Sequence, residues 1–121
     1  MGKFLRSVAV ALSGIRFAIR TQRHMQIHCV AAILVIGLGL MLSLSFVEWA
    51  ILVFAVALVI SLELVNTAIE QAVDLASPER HPIAKAAKDT AAGAVLAATF
   101  GAIAIGVIII GPPLWRLLFA L

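Results

Sequence analysis

One stretch of the chain reads Ser61-Leu62-Glu63-Leu64-Val65-Asn66-Thr67-Ala68-Ile69-Glu70-Gln71-Ala72-Val73-Asp74, with acidic and amide side chains set into apolar sequence. On an α-helix, Glu63, Asn66, Glu70 and Asp74 share one face, and we call this set the acidic stripe. A charged side chain deep in a membrane helix costs about 2.5–3.5 kcal/mol on insertion scales. Such side chains usually face a partner or a water-filled cavity, so the stripe is the primary candidate for a functional site.

The composition predicts an integral membrane protein. Of the 121 residues, 64% are hydrophobic and only 12% are charged, which is more apolar sequence than a soluble domain of this size can bury. A membrane-spanning helix needs about 20 apolar residues. The sequence offers three such helices, which we predict over 25–47, 49–75 and 83–111. We therefore expect an all-α membrane protein with one domain, 1–121.

The predicted ends of these elements come from local signals. Residues 3–22 form an amphipathic pattern with arginines on one side, which is typical of a helix lying at the membrane interface. Ser77-Pro78-Glu79-Arg80-His81-Pro82 reads as a loop between the second and third crossings. Gly111-Pro112-Pro113 is expected to end the third crossing, with 114–121 as a short interfacial tail.

Basic residues are distributed unevenly along the chain. They are concentrated before the first crossing and between the second and third, at Lys3, Arg6, Arg16, Arg20, Arg23, Arg80, Lys85 and Lys88. The positive-inside rule places the N-terminus and the 76–88 segment in the cytoplasm and the C-terminus outside. Anionic lipid headgroups account for this charge, so we expect no nucleic-acid partner.

Depth in the membrane separates the chemistry of the acidic stripe. Glu63 lies about 21 Å along the helix from Trp49, in the inner third of a hydrocarbon core about 30 Å thick, whereas Glu70 lies about 32 Å along. A desolvated carboxylate suits a general base, and a carboxylate at the wet interface can hold Mg²⁺. Lys88 at the start of helix three suits a phosphate. These are the parts of a phosphoryl-transfer site, although no conventional nucleotide-binding motif is present.

A structural role for the same residues stays open, because Glu63, Asn66 and Lys88 could simply hold helices together. His24 and His28 have metal-ligand spacing, but without a third ligand nearby we interpret them as polar residues at the interface. Small residues recur at four-residue spacing at Gly93, Ala97 and Gly101, which lets helices approach closely. Three helices enclose little, so we expect a homo-oligomer.

Two strings carry a family resemblance. They are Glu63-Leu-Val-Asn66-Thr-Ala-Ile-Glu70-Gln-Ala-Val-Asp74 and His81-Pro82-Ile-Ala-Lys85-Ala-Ala-Lys88-Asp89-Thr-Ala-Ala-Gly93-Ala-Val-Leu. The chain resembles the small prokaryotic diacylglycerol kinase and undecaprenol kinase family over essentially its whole length. The resemblance implies a homotrimeric kinase of the bacterial inner membrane. Such an enzyme transfers the γ-phosphate of ATP to a lipid alcohol, undecaprenol or diacylglycerol, with Mg²⁺.

The resemblance also implies roles for individual residues. Glu63 is expected to be the general base, and Glu70 is expected to bind metal and nucleotide with support from Asn66. The loop and the start of helix three are expected to bind ATP, with Lys88 and Asp89 at the phosphates and Glu79, Arg80 and His81 at the adenosine part. One position departs from the family pattern, because Gln22 stands where a glutamate metal ligand is usual. An amide oxygen can still coordinate Mg²⁺, but it brings no charge.

Two other classes of function compete with the kinase. The acidic stripe could line the ion path of a small oligomeric channel or transporter, although 49–60 has no polar side chain beyond the Trp49 indole. A non-catalytic membrane assembly subunit is the second alternative. Nothing in the sequence chooses between undecaprenol and diacylglycerol as the substrate.

Overall fold

The computed structural model describes residues 1–120, which fold into four α-helices. These are α1 (Gly2–Thr21), α2 (Arg23–Met41), α3 (Phe46–Ala76) and α4 (Pro82–Phe119). The last three are each long and apolar enough to cross a membrane. The predicted all-α fold, with one N-terminal helix before three crossings, is confirmed.

A single extended residue separates α1 from α2. Gln22 has φ −109° and ψ 114°, so it ends one helix and caps the next. α1 then folds back onto α2 and α3, and its Ala18 is buried against them. α1 therefore packs beside the crossings at the same end of the bundle as Gln22. Its observed bounds differ by one residue from the predicted range 3–22.

The turn between α2 and α3 corrects one predicted boundary. We expected the first crossing to extend to residue 47, but α2 ends at Met41 and α3 already begins at Phe46. The reason is a capping box. The Ser45 hydroxyl accepts a hydrogen bond from the Glu48 backbone N–H at 3.2 Å, and Glu48 Oε2 accepts one from the Ser45 N–H at 2.7 Å. Such a reciprocal pair fixes the start of a helix.

The packing beside this turn joins α2, α3 and α4 into one core. Its buried residues are Leu42, Leu52, Ile109 and Ile110. α2 approaches closely because residue 39 is a glycine. A Cβ added at Gly39 would lie 2.8 Å from Cη2 of Trp49, closer than carbon atoms pack. This contact sets the spacing of α2 and α3 at the end of the bundle opposite the acidic stripe.

α4 corrects a second boundary. We expected Gly111-Pro112-Pro113 to end the helix and 114–121 to form a tail, but α4 continues through both prolines to Phe119, and Leu121 lies outside the described residues. A proline keeps a helical φ and costs mainly one hydrogen bond to the carbonyl four residues before it. Spanning helices tolerate this loss. Gly111 has no Cβ to clash with the Pro112 ring, and the Trp115 and Phe119 rings pack with centroids 4.3 Å apart beyond the prolines.

Helix length explains how the fold presents polar residues outside the membrane. α3 has 31 residues and is therefore about 46 Å long, which exceeds the hydrocarbon core of about 30 Å. α3 packs mainly against α4, and the short segment Ser77–His81 connects them. The two helices thus bring the last turns of α3, the loop and the first turns of α4 together at one end of the bundle.

Candidate functional site

The acidic stripe runs from buried to exposed along α3. Glu63 and Asn66 are 3% and 8% exposed, Glu70 is half-buried, and Asp74 is exposed. This order follows from the position of each residue, because the bundle surrounds the middle of α3 and leaves its last turns open. The stripe thus places one carboxylate in a desolvated setting and others in a progressively wetter one, as the depth estimate predicts.

Hydrogen bonds within the stripe leave one acceptor free. The Thr67 hydroxyl donates to the Glu63 backbone carbonyl at 2.9 Å, and Asn66 Nδ2 donates to Glu70 Oε1 at 3.5 Å. Asn66 Oδ1 is buried and has no hydrogen-bond partner among residues 1–120. A buried polar atom without a partner costs about 1–3 kcal/mol, so this oxygen is suited to a donor or a cation that arrives with a ligand.

The Glu63 carboxylate faces α2. Its Oε2 lies 3.8 Å from Nε2 of His28, whose side chain is only 16% exposed. Our sequence interpretation of His28 as a polar interface residue missed this contact. The contact could have been predicted from the depth of the two residues in the membrane. His28 lies about 20 Å along α2 from Met41, and Glu63 lies about 21 Å along α3 from Trp49. Antiparallel helices joined by a short turn bring residues at equal depth side by side.

A polar cavity with a volume of about 700 Å³ lies at the junction of α3, the loop and α4. The residues that the sequence assigned to nucleotide binding in this region all line it, namely Glu79, Arg80, His81, Lys88 and Asp89. The ammonium group of Lys88 forms an ion pair with Asp74, which ties α4 to α3 across the cavity. Lys85 pairs with Asp89 on α4 itself. The cavity thus carries both signs of charge on groups that can exchange partners.

The start of α4 is fixed by two residues of the loop. His81 Nδ1 accepts a hydrogen bond from the Ile83 backbone N–H at 3.1 Å, so its imidazole acts as the N-cap. Pro82 follows at the first helical position, where its missing N–H costs nothing. This arrangement leaves His81 Nε2 available to the cavity. It also orients the first turn of α4, which carries Lys85 and leads to Lys88.

The predicted metal ligands are Glu70, near the end of α3, and Gln22, the residue between α1 and α2. Gln22 donates from its side-chain amide to the Thr21 hydroxyl at 3.1 Å, and neither residue lines a cavity described here. Within residues 1–120 no group of three or more His, Cys, Asp or Glu side chains could hold a metal ion. The available donors are the Glu70 carboxylate and the free Asn66 Oδ1. This oxygen set still fits Mg²⁺, which in proteins takes one or two carboxylates and completes its shell with waters and phosphate oxygens.

A second cavity, of about 410 Å³, is an apolar groove between α2, α3 and α4. Apart from His28 and Thr99, its lining is apolar or glycine and extends toward Leu38, Leu52 and Leu114. The Thr99 hydroxyl already donates to the Val95 carbonyl at 2.8 Å. The groove is therefore polar mainly at the end formed by His28, whose imidazole lies 3.8 Å from the Glu63 carboxylate. We call it the apolar groove below.

Comparisons with known proteins agree with this architecture. The family model described as prokaryotic diacylglycerol kinase matches residues 9–110. The undecaprenol kinase of Bacillus subtilis is 43% identical over 94% of this chain and 93% of its own length. The diacylglycerol kinase of Synechocystis is 41% identical over 94% of this chain and 66% of its own length. That of Haemophilus influenzae is 31% identical over 78% and 80% of the two chains. Three apolar crossings, the acidic stripe and these matches together show that the chain is a membrane kinase and belongs to the prokaryotic diacylglycerol kinase family.

Proposed function

We propose that the protein transfers the γ-phosphate of ATP, with Mg²⁺, to the hydroxyl of a membrane lipid alcohol at the cytoplasmic face of the bacterial inner membrane. Undecaprenol is the first substrate to test, because the relative that matches over nearly its full length is an undecaprenol kinase, and diacylglycerol is the alternative. The observation that carries the proposal is the position of Glu63. This buried carboxylate lies 3.8 Å from His28, which lines the apolar groove, and it is on the same helix whose last turns border the polar cavity.

The chemistry assigned to Glu63 is general base catalysis. Its carboxylate accepts the proton as the O–H bond of the lipid alcohol breaks, and the alcohol oxygen forms a bond to the γ-phosphorus. The bond between that phosphorus and its bridging oxygen breaks, and ADP leaves with the electron pair. Because little covalent chemistry is left to the protein, positioning and electrostatics supply the remaining rate enhancement.

The polar cavity is the proposed ATP site. Lys88 supplies positive charge for the phosphates, while Glu79, Arg80 and His81 lie on the loop, where the adenosine part is expected. Lys88 is paired with Asp74. We expect phosphate to take over this lysine, because a charge-assisted bond to a polyanion replaces one to a single exposed carboxylate. Lys85, which is paired with Asp89, is a second cation beside Lys88.

Mg²⁺ would be held by Glu70 and the Asn66 carboxamide oxygen, with Gln22 as a neutral additional ligand. Bound there, the cation neutralises the charge that develops on the phosphates. The chain's own contribution is orientation. The Asn66 amide donates to Glu70 Oε1, which fixes that carboxylate and turns Asn66 Oδ1 away from it.

The apolar groove is the proposed site of the lipid chain. It is apolar except at the end beside Glu63, so a long hydrocarbon can lie along it with its hydroxyl at the carboxylate. We further propose a homotrimer, which is the state that the family resemblance implies, with a cytoplasmic N-terminus, which the basic residues before the first crossing favour. Gly93, Ala97 and Gly101 give α4 a face on which helices can pack closely. A channel is disfavoured, since the buried positions in the outer half of α3 are Leu52, Ala55 and Val59.

The decisive experiment uses purified protein reconstituted in bilayers with γ-labelled ATP. Separate samples receive undecaprenol, diacylglycerol or no added alcohol, each with and without Mg²⁺. We expect label in the lipid fraction with at least one alcohol, only with Mg²⁺, and faster with undecaprenol. Absence of transfer to either alcohol from a folded, homogeneous sample would refute the proposal. Ion flux in the same vesicles would instead support the channel alternative.

A further inference from the structure

The geometry points to His28 as the residue that positions the Glu63 carboxylate for proton abstraction. The inference rests on the lipid kinase activity proposed above. It adds a residue of α2 to a reaction that the family resemblance assigned to α3, the loop and the start of α4.

The contact between the two residues supplies the first argument. Glu63 is almost completely buried, and the Thr67 hydroxyl bonds to its backbone carbonyl rather than to its carboxylate. Within the described residues 1–120, His28 is the one basic side chain within 4.0 Å of that carboxylate. A buried carboxylate is stable only with a hydrogen-bond donor or a positive charge beside it. His28 is placed to be that partner.

The direction of the contact supplies the second argument. His28 Nε2 approaches Oε2 of Glu63 at 3.8 Å, which is longer than a hydrogen bond but is the kind of separation that shortens when substrate closes a site. An imidazole carries Nε2–H in one neutral tautomer and in the cation. A donor held on Oε2 fixes the plane of the carboxylate and leaves Oε1 to receive the proton of the alcohol.

The apolar groove supplies the third argument. His28 lines this groove, and the other hydroxyl or titratable side chain in its lining, Thr99, is already bonded to its own helix. A lipid hydroxyl that reaches the polar end of the groove therefore meets His28 and Glu63 together. His24, one helical turn before His28, is exposed and lines neither cavity. His24 and His28 are one helical turn apart in sequence, but in the fold only His28 lies at the groove and near Glu63.

The test compares His28→Leu, His28→Gln and the matched control His24→Leu. Purified proteins in bilayers are assayed for kcat and for the KM values of lipid and ATP, and their thermal unfolding is followed. We expect His28→Leu to lower kcat about 10–100-fold, the value of one hydrogen bond to a charged group, with the KM for ATP unchanged. His28→Gln should regain most of the rate, because its side-chain amide can donate near the same point. His24→Leu should behave as wild type.

A double variant separates positioning from packing. If His28 acts through Glu63, adding His28→Leu to Glu63→Gln should cost little beyond the loss already caused by Glu63→Gln. Multiplying losses, wild-type kcat in His28→Leu, or a His28→Gln variant that is as slow and as thermally unstable as His28→Leu would each overturn the inference. The proposed function has its own failure, which is a wild-type protein that phosphorylates no lipid alcohol.

Discussion

Replacement of Glu63 by glutamine tests the chemical and the structural interpretation of the acidic stripe at once. The change keeps the shape of a side chain that is 3% exposed and removes its charge and basicity. Loss of a positioned general base lowers a rate about 10²–10⁴-fold, which corresponds to about 3–5 kcal/mol in the barrier. Because so little of the side chain is open to water that could replace it as a base, we expect a loss of about 10³-fold or more in kcat.

The same substitution, although it lowers kcat, should not lower the thermal stability of the protein. A buried carboxylate carries a desolvation cost, and here its nearest possible cation lies 3.8 Å away, beyond a direct hydrogen bond. An amide avoids most of that cost and can still interact with His28. We therefore expect an unchanged or slightly raised midpoint of thermal unfolding and an unchanged oligomer. If the carboxylate served only to hold α2 against α3, the variant would unfold at lower temperature and keep its activity.

The assay is transfer of labelled phosphate from ATP to undecaprenol in bilayers at saturating concentrations of both, with size-exclusion chromatography and thermal unfolding on the same samples. Glu48→Gln is the matched control. It lies at the other end of α3, far from the site, and glutamine can also complete the capping box with Ser45. Wild-type kcat in Glu63→Gln, or equal losses in the two variants, would refute the assignment of Glu63 as the base.

Three further predictions address the nucleotide, the metal and the lipid. The double variant Asp74→Lys, Lys88→Asp exchanges the two charges and should keep the ion pair and the thermal stability. It should raise the KM for ATP at least about tenfold, because no lysine then stands at position 88 to bind the phosphates. A wild-type KM would show that Lys88 serves only the ion pair. Gln22→Glu should lower the Mg²⁺ concentration for half-maximal activity about tenfold by adding a charged oxygen ligand, and an unchanged Mg²⁺ titration would exclude residue 22 from the metal site. Gly106→Leu should raise the KM for lipid several-fold without changing the KM for ATP, because the new side chain has open space around it but narrows the apolar groove. Gly37→Leu, which has equal space outside the groove, is the control. Equal effects of the two substitutions, or dissociation of the oligomer, would place something other than the lipid chain in the groove.

Periodicity alone was enough to predict the acidic stripe, and the depth counted from Trp49 was enough to predict its gradient of exposure. The positions of Glu63 and Asn66 on one helical face follow from 3.6 residues per turn, whatever the rest of the chain does. The loop residues were equally accessible to sequence reasoning. A connection as short as Ser77–His81 forces the last turns of α3 and the first turns of α4 to face each other, so Asp74 and Lys88 meet across a cavity.

The partner of Glu63 was harder to predict, because it depends on the register between two helices. The capping box at Ser45 and the glycine beneath Trp49 set that register, and a shift of one turn would place His24 or Ala32, instead of His28, opposite Glu63. The continuation of α4 through Pro112 and Pro113 was missed for a different reason. Proline breaks helices because its ring clashes with the carbonyl four residues earlier and its nitrogen carries no hydrogen to donate. Spanning helices tolerate it because neighbouring groups and small local adjustments of the backbone satisfy the freed backbone groups again.

The spacing along α3 also constrains how a nucleotide must lie. Asp74, which pairs with Lys88 at the cavity, lies about 16 Å along the helix from Glu63. Glu70 lies about 10 Å along the helix from Glu63. Adenosine bound at the loop therefore cannot bring the γ-phosphate to the base unless the phosphate chain extends along α3. The interval that it must cross is occupied by Glu70 and by Asn66 with its free carbonyl oxygen, which are oxygen ligands suited to a cation that travels with the phosphates. The rise per residue of α3 thus fixes the distance along the helix between the proposed base Glu63 and Asp74, the carboxylate that pairs with Lys88.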